Sequence, residues 1–490
     1  MKLEFKSHQR EAFEFAKDRT FFANFDDMGL GKSLVELARI HYLWKTLQIT
    51  GAVWITPKSI THDVLRHIEL GWPDEDPKPD VLIWRKSDSL AYAKAFNSLL
   101  GDGSRLRLFI CNVEGFSSPT LEPYIKKFTQ AHLGKNFVVV DEASRIKERS
   151  SLRTKRVLKL FSGYRFRDIM TGSPVLNTPT DLWAPCRLLS PMALGVGIGG
   201  NFYSFRARYS VLKTDLIWAK GPLGPEQRPI KIVAGYRNLD ELAQRLTTFS
   251  VRRTAEEVLD LPDRRYEVRH VELTQEQEKL MKTLKKDLRV LINETTVKVT
   301  NVLGLMAKMH QVVLGFLKDA DGTQHRVPSH RLRELGNVLE EVRGKVIIWA
   351  SHHASIERIS DHLAAEYGPE SFVTYYGETA NGDRAENLDK FRDLSVCRFL
   401  VANPTVGGIG LTLTEACTCV YWNNTFRLED RLQSERRVWR IGQERPVLYV
   451  DLLSPKTIDD VIFQALESKV DISKMTMGDI DRLKQLVEDV

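Results

Sequence analysis

Cysteine is scarce in this 490-residue chain: Cys111, Cys186, Cys397, Cys417 and Cys419 make an odd number without a C-x-x-C pair. That excludes a disulfide framework and offers no zinc-ligand spacing, so a reducing compartment is expected. Long apolar runs are missing too. The start, MKLEFKSHQREAF, reads as amphipathic rather than as a signal peptide, and no later stretch approaches a membrane span. The expectation is a soluble cytoplasmic or nuclear protein, neither secreted nor membrane-bound. No heptad repeat argues for a coiled-coil dimer, which favours a monomer. Neither charge sign dominates: 71 basic against 64 acidic residues give +7, a mild balance that suggests a phosphate-bearing partner without specifying one.

What is present starts with FDDMGLGKS, Phe25 to Ser33. Gly29 and Gly31 let backbone N–H groups wrap a phosphate, Lys32 brings an ammonium to terminal phosphates, and Ser33 offers a hydroxyl to Mg²⁺. The strict P-loop pattern fails, because Asp26 stands where its first glycine belongs. A Gly-rich turn capping a helix is the bland alternative. The helix expected over Leu34 to Trp44 adds its dipole to such a site. Upstream, His8-Gln9-Arg10 opens a helical pattern, and Gln9 has the donor and acceptor needed to read the edge of adenine.

Buried parallel strands are expected at Gly51–Pro57, Leu106–Cys111 and Phe137–Val140. The last runs into Asp141 and Glu142, delivering two carboxylates to the edge where parallel sheets bind ligands. Asp141 suits a Mg²⁺ bridging phosphates, and Glu142 suits the base that orients and deprotonates water. Ile169 to Pro174, IMTGSP, is placed to relay the state of the γ-phosphate. From Pro191 the composition turns Gly/Pro-rich, with a hairpin expected between Val211–Lys220 and Ile230–Tyr236 across GPLGPEQRP. Leu239 to Lys318 reads as mostly helical.

A second α/β unit follows, with strands at Lys345–Ala350, Phe372–Tyr376, Phe399–Ala402 and Val447–Leu452, and helices at Ile356–Ala364 and Arg431–Ile441. Arg437 and Arg440, three apart on that last helix, share a face, and planar guanidinium groups suit the charge of a transferring phosphoryl group. Arg427, Arg431 and Arg436 fit a solvated or phosphate-facing basic surface.

Taken in order, HQR, DDMGLGKS, WITPKSI, FVVVDEAS, MTGSPVLNTPTDLW, KVIIWASHH, VANPTVGGIGLTLTEA and QSERRVWRIGQ resemble the motif series of the superfamily-two helicase-like ATPases, and among them the Swi/Snf-type double-stranded DNA translocases. The resemblance runs from about Lys6 to Val450. It implies an α/β fold with two RecA-like parallel-sheet lobes, 1–190 and 326–455, a mostly helical insertion region at 191–325, and a C-terminal helical brace at 456–490. It implies a DNA-dependent ATPase using ATP and Mg²⁺, with Gln9 on adenine, Gly408 and Gly410 in the second lobe's nucleotide loop, and Arg437 and Arg440 as arginine fingers. Thr56, Lys58, Asn112 and Thr405 fall in the segments that track a DNA strand. The chain departs from the family's usual histidines at Ser144 and Trp439. The expected activity is ATP-driven, sequence-independent stepping on duplex DNA that remodels protein–DNA complexes or branched DNA. A strand-separating DNA or RNA helicase and a nucleotide-gated recruitment subunit are the alternatives.

Overall fold

The structure, a computed structural model, describes residues 4–87, 89–101, 104–172, 178–221, 224–293, 299–319, 321, 323–377, 379, 381–407 and 411–468. The chain divides into two compact units, Met1–Leu212 with Val233–Asp260, and Lys213–Ile232 with Leu261–Val490.

In the first unit the strands are β1 (Phe21–Asn24), β2 (Gly51–Thr56), β3 (Asp80–Ile83), β4 (Arg107–Asn112), β5 (Asn136–Asp141) and β6 (Phe166–Met170). Next in the chain, β7 (Ser210–Gly221) and β8 (Gly224–Tyr236), most of whose residues belong to the second unit, pair as a separate two-stranded sheet, and β9 (Ser250–Val251) completes the first unit's sheet in the order β3-β4-β2-β5-β6-β1-β9. Every pairing in it is parallel. Continuous apolar runs make such strands because both faces are covered. In β5, Val138 and Val140 enter one core, while Phe137 and Val139 enter the other. Since all strands run the same way, Asn24, Thr56, Asn112, Asp141 and Met170 emerge together at one sheet edge.

The second unit holds β10 (Arg264–His270), a short β11–β12 pair (Phe316–Lys318, Gln324–Arg326), β13 (Lys345–Trp349), β14 (Phe372–Tyr375), β15 (Phe399–Ala402), β16 (Ala416–Tyr421) and β17 (Val447–Leu453). Its six-stranded sheet, ordered β10-β17-β16-β13-β15-β14, is also parallel throughout. The two parallel sheets with flanking helices are two RecA-like α/β lobes.

The sequence reading differs from the structure at several elements. β7 and β8 run through most of GPLGPEQRP, of which residues 222 and 223 lie outside the described residues. Three strands, β9, β10 and β11, lie in the stretch read as mostly helical. β10, RRYEVRH, escapes an apolar-run search because it is a charged edge strand laddered only to β17. The strands β1, β3, β6, β12 and β16 were not anticipated. Finally, the arginine helix is Leu428–Val438; Trp439 leaves the helical region and Gly442 has φ 97°, so Arg440 lies beyond the helix end.

The helix Ile458–Glu467 packs Ile458, Val461 and Ile462 against Met306, Met309 and Val313 of the helix Val299–Val313. Beneath it, Asp459 pairs with the buried Arg331 and accepts Ser454 N–H at 3.1 Å, with His310 Nε2 3.4 Å from its other oxygen. Burial pushes the Asp459 carboxyl up, but Arg331 and His310 outweigh it and hold it below the usual carboxylate range. Asp459→Ala leaves a guanidinium buried without its counter-ion, and the expected cost is about 3–5 kcal/mol in urea unfolding. Replacing Arg331 by methionine as well should recover much of that loss. No helix among the described residues is long and apolar enough to cross a membrane, and all five cysteines are free.

Candidate nucleotide site

The Gly-rich loop leaves β1 at Asn24, whose side-chain oxygen accepts Asp26 N–H at 3.2 Å. Gly29 (φ 87°) and Gly31 (φ 81°) sit in the left-handed region that non-glycine residues avoid. A Cβ at Gly31 would stand 2.2 Å from Gln9 Nε2, so a larger residue there would displace the Gln9 amide. The helix Lys32–Lys45 starts at once with Gly31 as its N-cap and no side-chain cap; Leu34 N–H donates to Gly31 O at 3.0 Å, and the Lys32 and Ser33 N–H groups at the helix start suit an anion. Lys32 Nζ donates to Asp26 O at 2.8 Å and Asp27 O at 3.0 Å. Desolvation lowers the Lys32 pKa, and Glu142, Asp141, Asp26 and Asp27 pull against it.

Asp26, the departure from the strict pattern, has a structural task. Its carboxylate lies 3.3 Å from Arg253, which also donates to His8 O at 2.8 Å and pairs with Glu11 at 3.0 Å. Asp27 Oδ2 accepts Ala255 N–H at 3.1 Å, and Asp27 N–H donates to Arg253 O at 2.9 Å. The acidic pair thus ties the loop to the strand β9 exit and to the helix Ser7–Ala16. Local spacing carries no sign of this, because Arg253 lies more than two hundred residues away. Gln9 Nε2 donates to Leu30 O at 3.0 Å and its Oε1 accepts Lys6 N–H at 3.1 Å. In this state Gln9 buttresses the loop, together with His8 Nε2 at 3.0 Å from the same carbonyl.

At the end of β5, Thr56 Oγ1 stands 3.5 Å from Asp141 Oδ2. Desolvation and the neighbouring Glu142 push the Asp141 carboxyl up to about 7, against the pull of Lys32. Glu142 has φ 56° and ψ 58°, a left-handed conformation that is costly for a glutamate and that clusters at functional sites. Its Oε1 accepts Ser144 Oγ at 2.9 Å and Thr171 Oγ1 at 3.1 Å. Ser144, where the resembled family usually has histidine, therefore orients the carboxylate. Thr171 opens the TGSP segment, and a Cβ on Gly172 would stand 2.7 Å from Met28 Cγ, so this segment packs on the Gly-rich loop. Residues 173–177 lie outside the described residues. Ser33 sits half-buried in the helix's first turn.

One turn on, Glu36 is fully buried, and neither carboxyl oxygen has a hydrogen-bond partner among the described residues. Below it Arg39 pairs with Asp168 of β6. Burial drives the Glu36 pKa well above the usual carboxylate range; Arg39 opposes this and Asp141 adds to it. A carboxyl whose folded pKa exceeds its unfolded value of about 4.3 binds more protons when folded, so stability falls as pH rises above that value. Glu36→Gln removes this penalty. We expect the variant to gain stability over the wild type as pH rises from 5 to 8, as read from urea midpoints.

Of the expected strand-tracking positions, Thr56 is completely buried and offers no surface. Lys58 is exposed, and Asn112 is half-buried with its Oδ1 accepting Gly115 N–H at 2.7 Å. In the second unit Thr405 Oγ1 donates to Asp430 at 2.9 Å; Gly408 and Gly410 lie outside the described residues. Arg437 and Arg440 do not share a helical face, yet both donate to Leu411 O, at 3.3 Å and 3.1 Å. The indole of Trp439 between them donates to Pro262 O at 2.7 Å and stacks with Arg264 and Arg436 at 4.1 and 4.8 Å. Arg431 proves to be structural: it is buried against Asp451, Glu435 and the Tyr421 ring.

Comparison with known proteins agrees with this architecture. The SNF2-related domain profile matches residues 23–314, and the helicase conserved C-terminal domain matches residues 330–442. An uncharacterized ATP-dependent helicase of Mycoplasma genitalium is 25% identical over 474 residues, 94% of this chain and 41% of that protein. A homolog of SWI/SNF-related matrix-associated actin-dependent regulator of chromatin subfamily A-like protein 1 from Caenorhabditis elegans is 23% identical over 478 residues, 95% of this chain and 61% of its own length. The chain thus spans between two fifths and three fifths of these relatives. The Sulfolobus solfataricus SWI2/SNF2 ATPase core in complex with dsDNA aligns at 21% identity and TM-score 0.42, covering 100% of this chain and 97% of that one. With a profile match across more than half its length, this chain belongs to the SNF2-related family of helicase-like ATPases.

Proposed function

We propose that this chain hydrolyses ATP to translocate on double-stranded DNA without sequence preference, remodelling proteins bound to the duplex or branched DNA. The observation that carries the hydrolytic half is Glu142, held at the sheet edge beside the Lys32 loop by Ser144 and Thr171. In this reading Lys32 and the N–H groups of Gly29–Ser33 bind the phosphates, Glu142 takes the proton of the attacking water, and Arg437 and Arg440 answer the charge of the transferring phosphoryl group.

Asp141 and Ser33 would hold Mg²⁺. Their donors fit: a carboxylate and a hydroxyl are hard oxygen ligands, and a carboxyl whose proton affinity desolvation has raised gains from a cation beside it. When bound, that ion neutralises charge on the β- and γ-phosphates. A set of one carboxylate and one hydroxyl matches the way Mg²⁺ keeps waters and phosphate oxygens as its remaining ligands.

Membership of the SNF2-related family, with the DDMGLGKS, TGSPVLN and RIGQ segments, supports duplex DNA as the track. If arginines on one lobe bind phosphates held by the other, ATP favours closure and hydrolysis favours opening, and unequal grip on the backbone in the two states makes steps directional. Backbone contacts carry no sequence information and are sensitive to salt. The Ser144–Glu142 bond supports retained hydrolysis over a purely recruiting role. ATPase assays with random-sequence duplex, single-stranded DNA and single-stranded RNA test the proposal: duplex should stimulate most, whereas stimulation by RNA alone would contradict it.

A further inference from the structure

On the first unit, the helix Phe202–Tyr209 is anchored by Phe205 and Tyr209, both fully buried, and starts with Asn201 capping Tyr203 and Ser204 N–H. That anchoring presents Phe202 and Tyr203 outward, the latter 61% exposed. Arg149 lies over the Phe202 ring at 4.2 Å and the Tyr203 ring at 5.2 Å. Arg206 approaches the same two rings at 5.9 and 5.7 Å. Trp183 backs Phe202 edge-on at 5.5 Å.

Neither arginine has a carboxylate partner among the described residues, and Arg206 Nε, shielded from water, has no hydrogen-bond partner there. Nearby acids are occupied: Glu148 by the Ser150 hydroxyl at 2.5 Å, Asp181 beside Lys147 at 3.6 Å, and Glu241 by Arg208 and Arg245 at 2.6 and 2.9 Å. From 149 to 167 the chain carries seven basic residues and no acidic one. A guanidinium lying on a ring keeps its N–H edge outward and loses less freedom on binding, which suits a phosphate oxygen pair.

The helix that follows Arg149 is linked to the segment after Asn112. The turn Val113–Ser117 follows Asn112 directly; its Glu114 accepts Lys58 N–H at 3.1 Å, and its Phe116 carbonyl accepts from Arg156 at 2.8 Å. Arg156 belongs to the helix Leu152–Phe161 that begins just after Arg149.

We propose that Arg149 and Arg206, stacked on Phe202 and Tyr203, form a second phosphate-gripping surface that lengthens the duplex DNA footprint of the first lobe beyond the strand-tracking segments. This rests on the duplex reading above and adds a site to it.

The test is a salt titration of binding to a labelled random-sequence duplex by fluorescence anisotropy, with thermal unfolding as the folding control. Each lost phosphate contact removes about 0.9 from the slope of log K against log salt. Arg149→Ala with Arg206→Ala should therefore flatten the slope by about 2 and weaken binding alike on unrelated sequences. Tyr203→Arg, at an exposed position, should steepen it by about 1. A wild-type slope and affinity in both variants, while the wild type binds duplex, overturns the proposal and leaves the duplex reading standing. A double variant that keeps duplex affinity but loses poly-glutamate assigns the patch to an acidic protein and also overturns it. A wild type that binds only RNA overturns both.

Discussion

Glu142→Gln should lower steady-state ATP turnover by about 10³-fold while leaving nucleotide affinity within a few-fold of wild type. The replacement is isosteric, and its remaining carbonyl oxygen can still accept from Ser144 and Thr171, which now bond Oε1 at 2.9 and 3.1 Å. What the amide lacks is the ability to take a proton. A loss confined to kcat, measured beside the binding of a fluorescent ATP analogue, assigns the base. Turnover within tenfold of wild type would remove Glu142 from that role. The left-handed backbone at Glu142 sharpens the expectation, since a strained conformation persists where its surroundings hold it.

Arg437→Ala and Arg440→Ala should each reduce kcat by about 10³-fold or more, the range of an arginine that stabilises a phosphoryl-transfer transition state. Both guanidinium groups converge on Leu411 O. Lysine should rescue neither, because a point charge lacks the planar fork. A comparison with Arg431→Lys separates chemistry from folding: Arg431 is committed to Asp451 and Glu435, so its loss should appear in thermal stability. If an alanine at 437 or 440 lowers the melting temperature but leaves kcat intact, that arginine is structural.

The legible parts of this molecule were those where chemistry and chain direction coincide. FVVVDE, GAVWIT, KVIIW and FLVA are apolar, β-branched runs too short for helices, and each forms a central parallel strand with both faces covered. The place of Glu142 at the exit of β5 was readable because the apolar run stops at Asp141. The Gly-rich loop was readable because its two φ-positive glycines have few substitutes.

The rest depended on contacts distant in sequence. Arg253 is far from the loop in sequence, and its pairing with Asp26 gives the acidic residue at the first P-loop glycine position a structural task. β10 is charged on both faces and is a strand only because β17 pairs with it. Three-residue spacing placed Arg437 and Arg440 on one helical face, but Trp439 ends the helix between them, and their convergence comes from a shared carbonyl instead. Thr56, placed by resemblance among strand-tracking residues, is buried against Asp141, whereas Lys58 is exposed and Asn112 half-buried.

Duplex translocation, the central claim, is tested most directly by displacement of a triplex-forming strand from double-stranded DNA. The account predicts that the wild type displaces the third strand only with hydrolysable ATP, irrespective of duplex sequence, and that Glu142→Gln does not. Brisk duplex-stimulated ATP turnover with no displacement would contradict it, and would mark the chain as a nucleotide-gated switch rather than a motor.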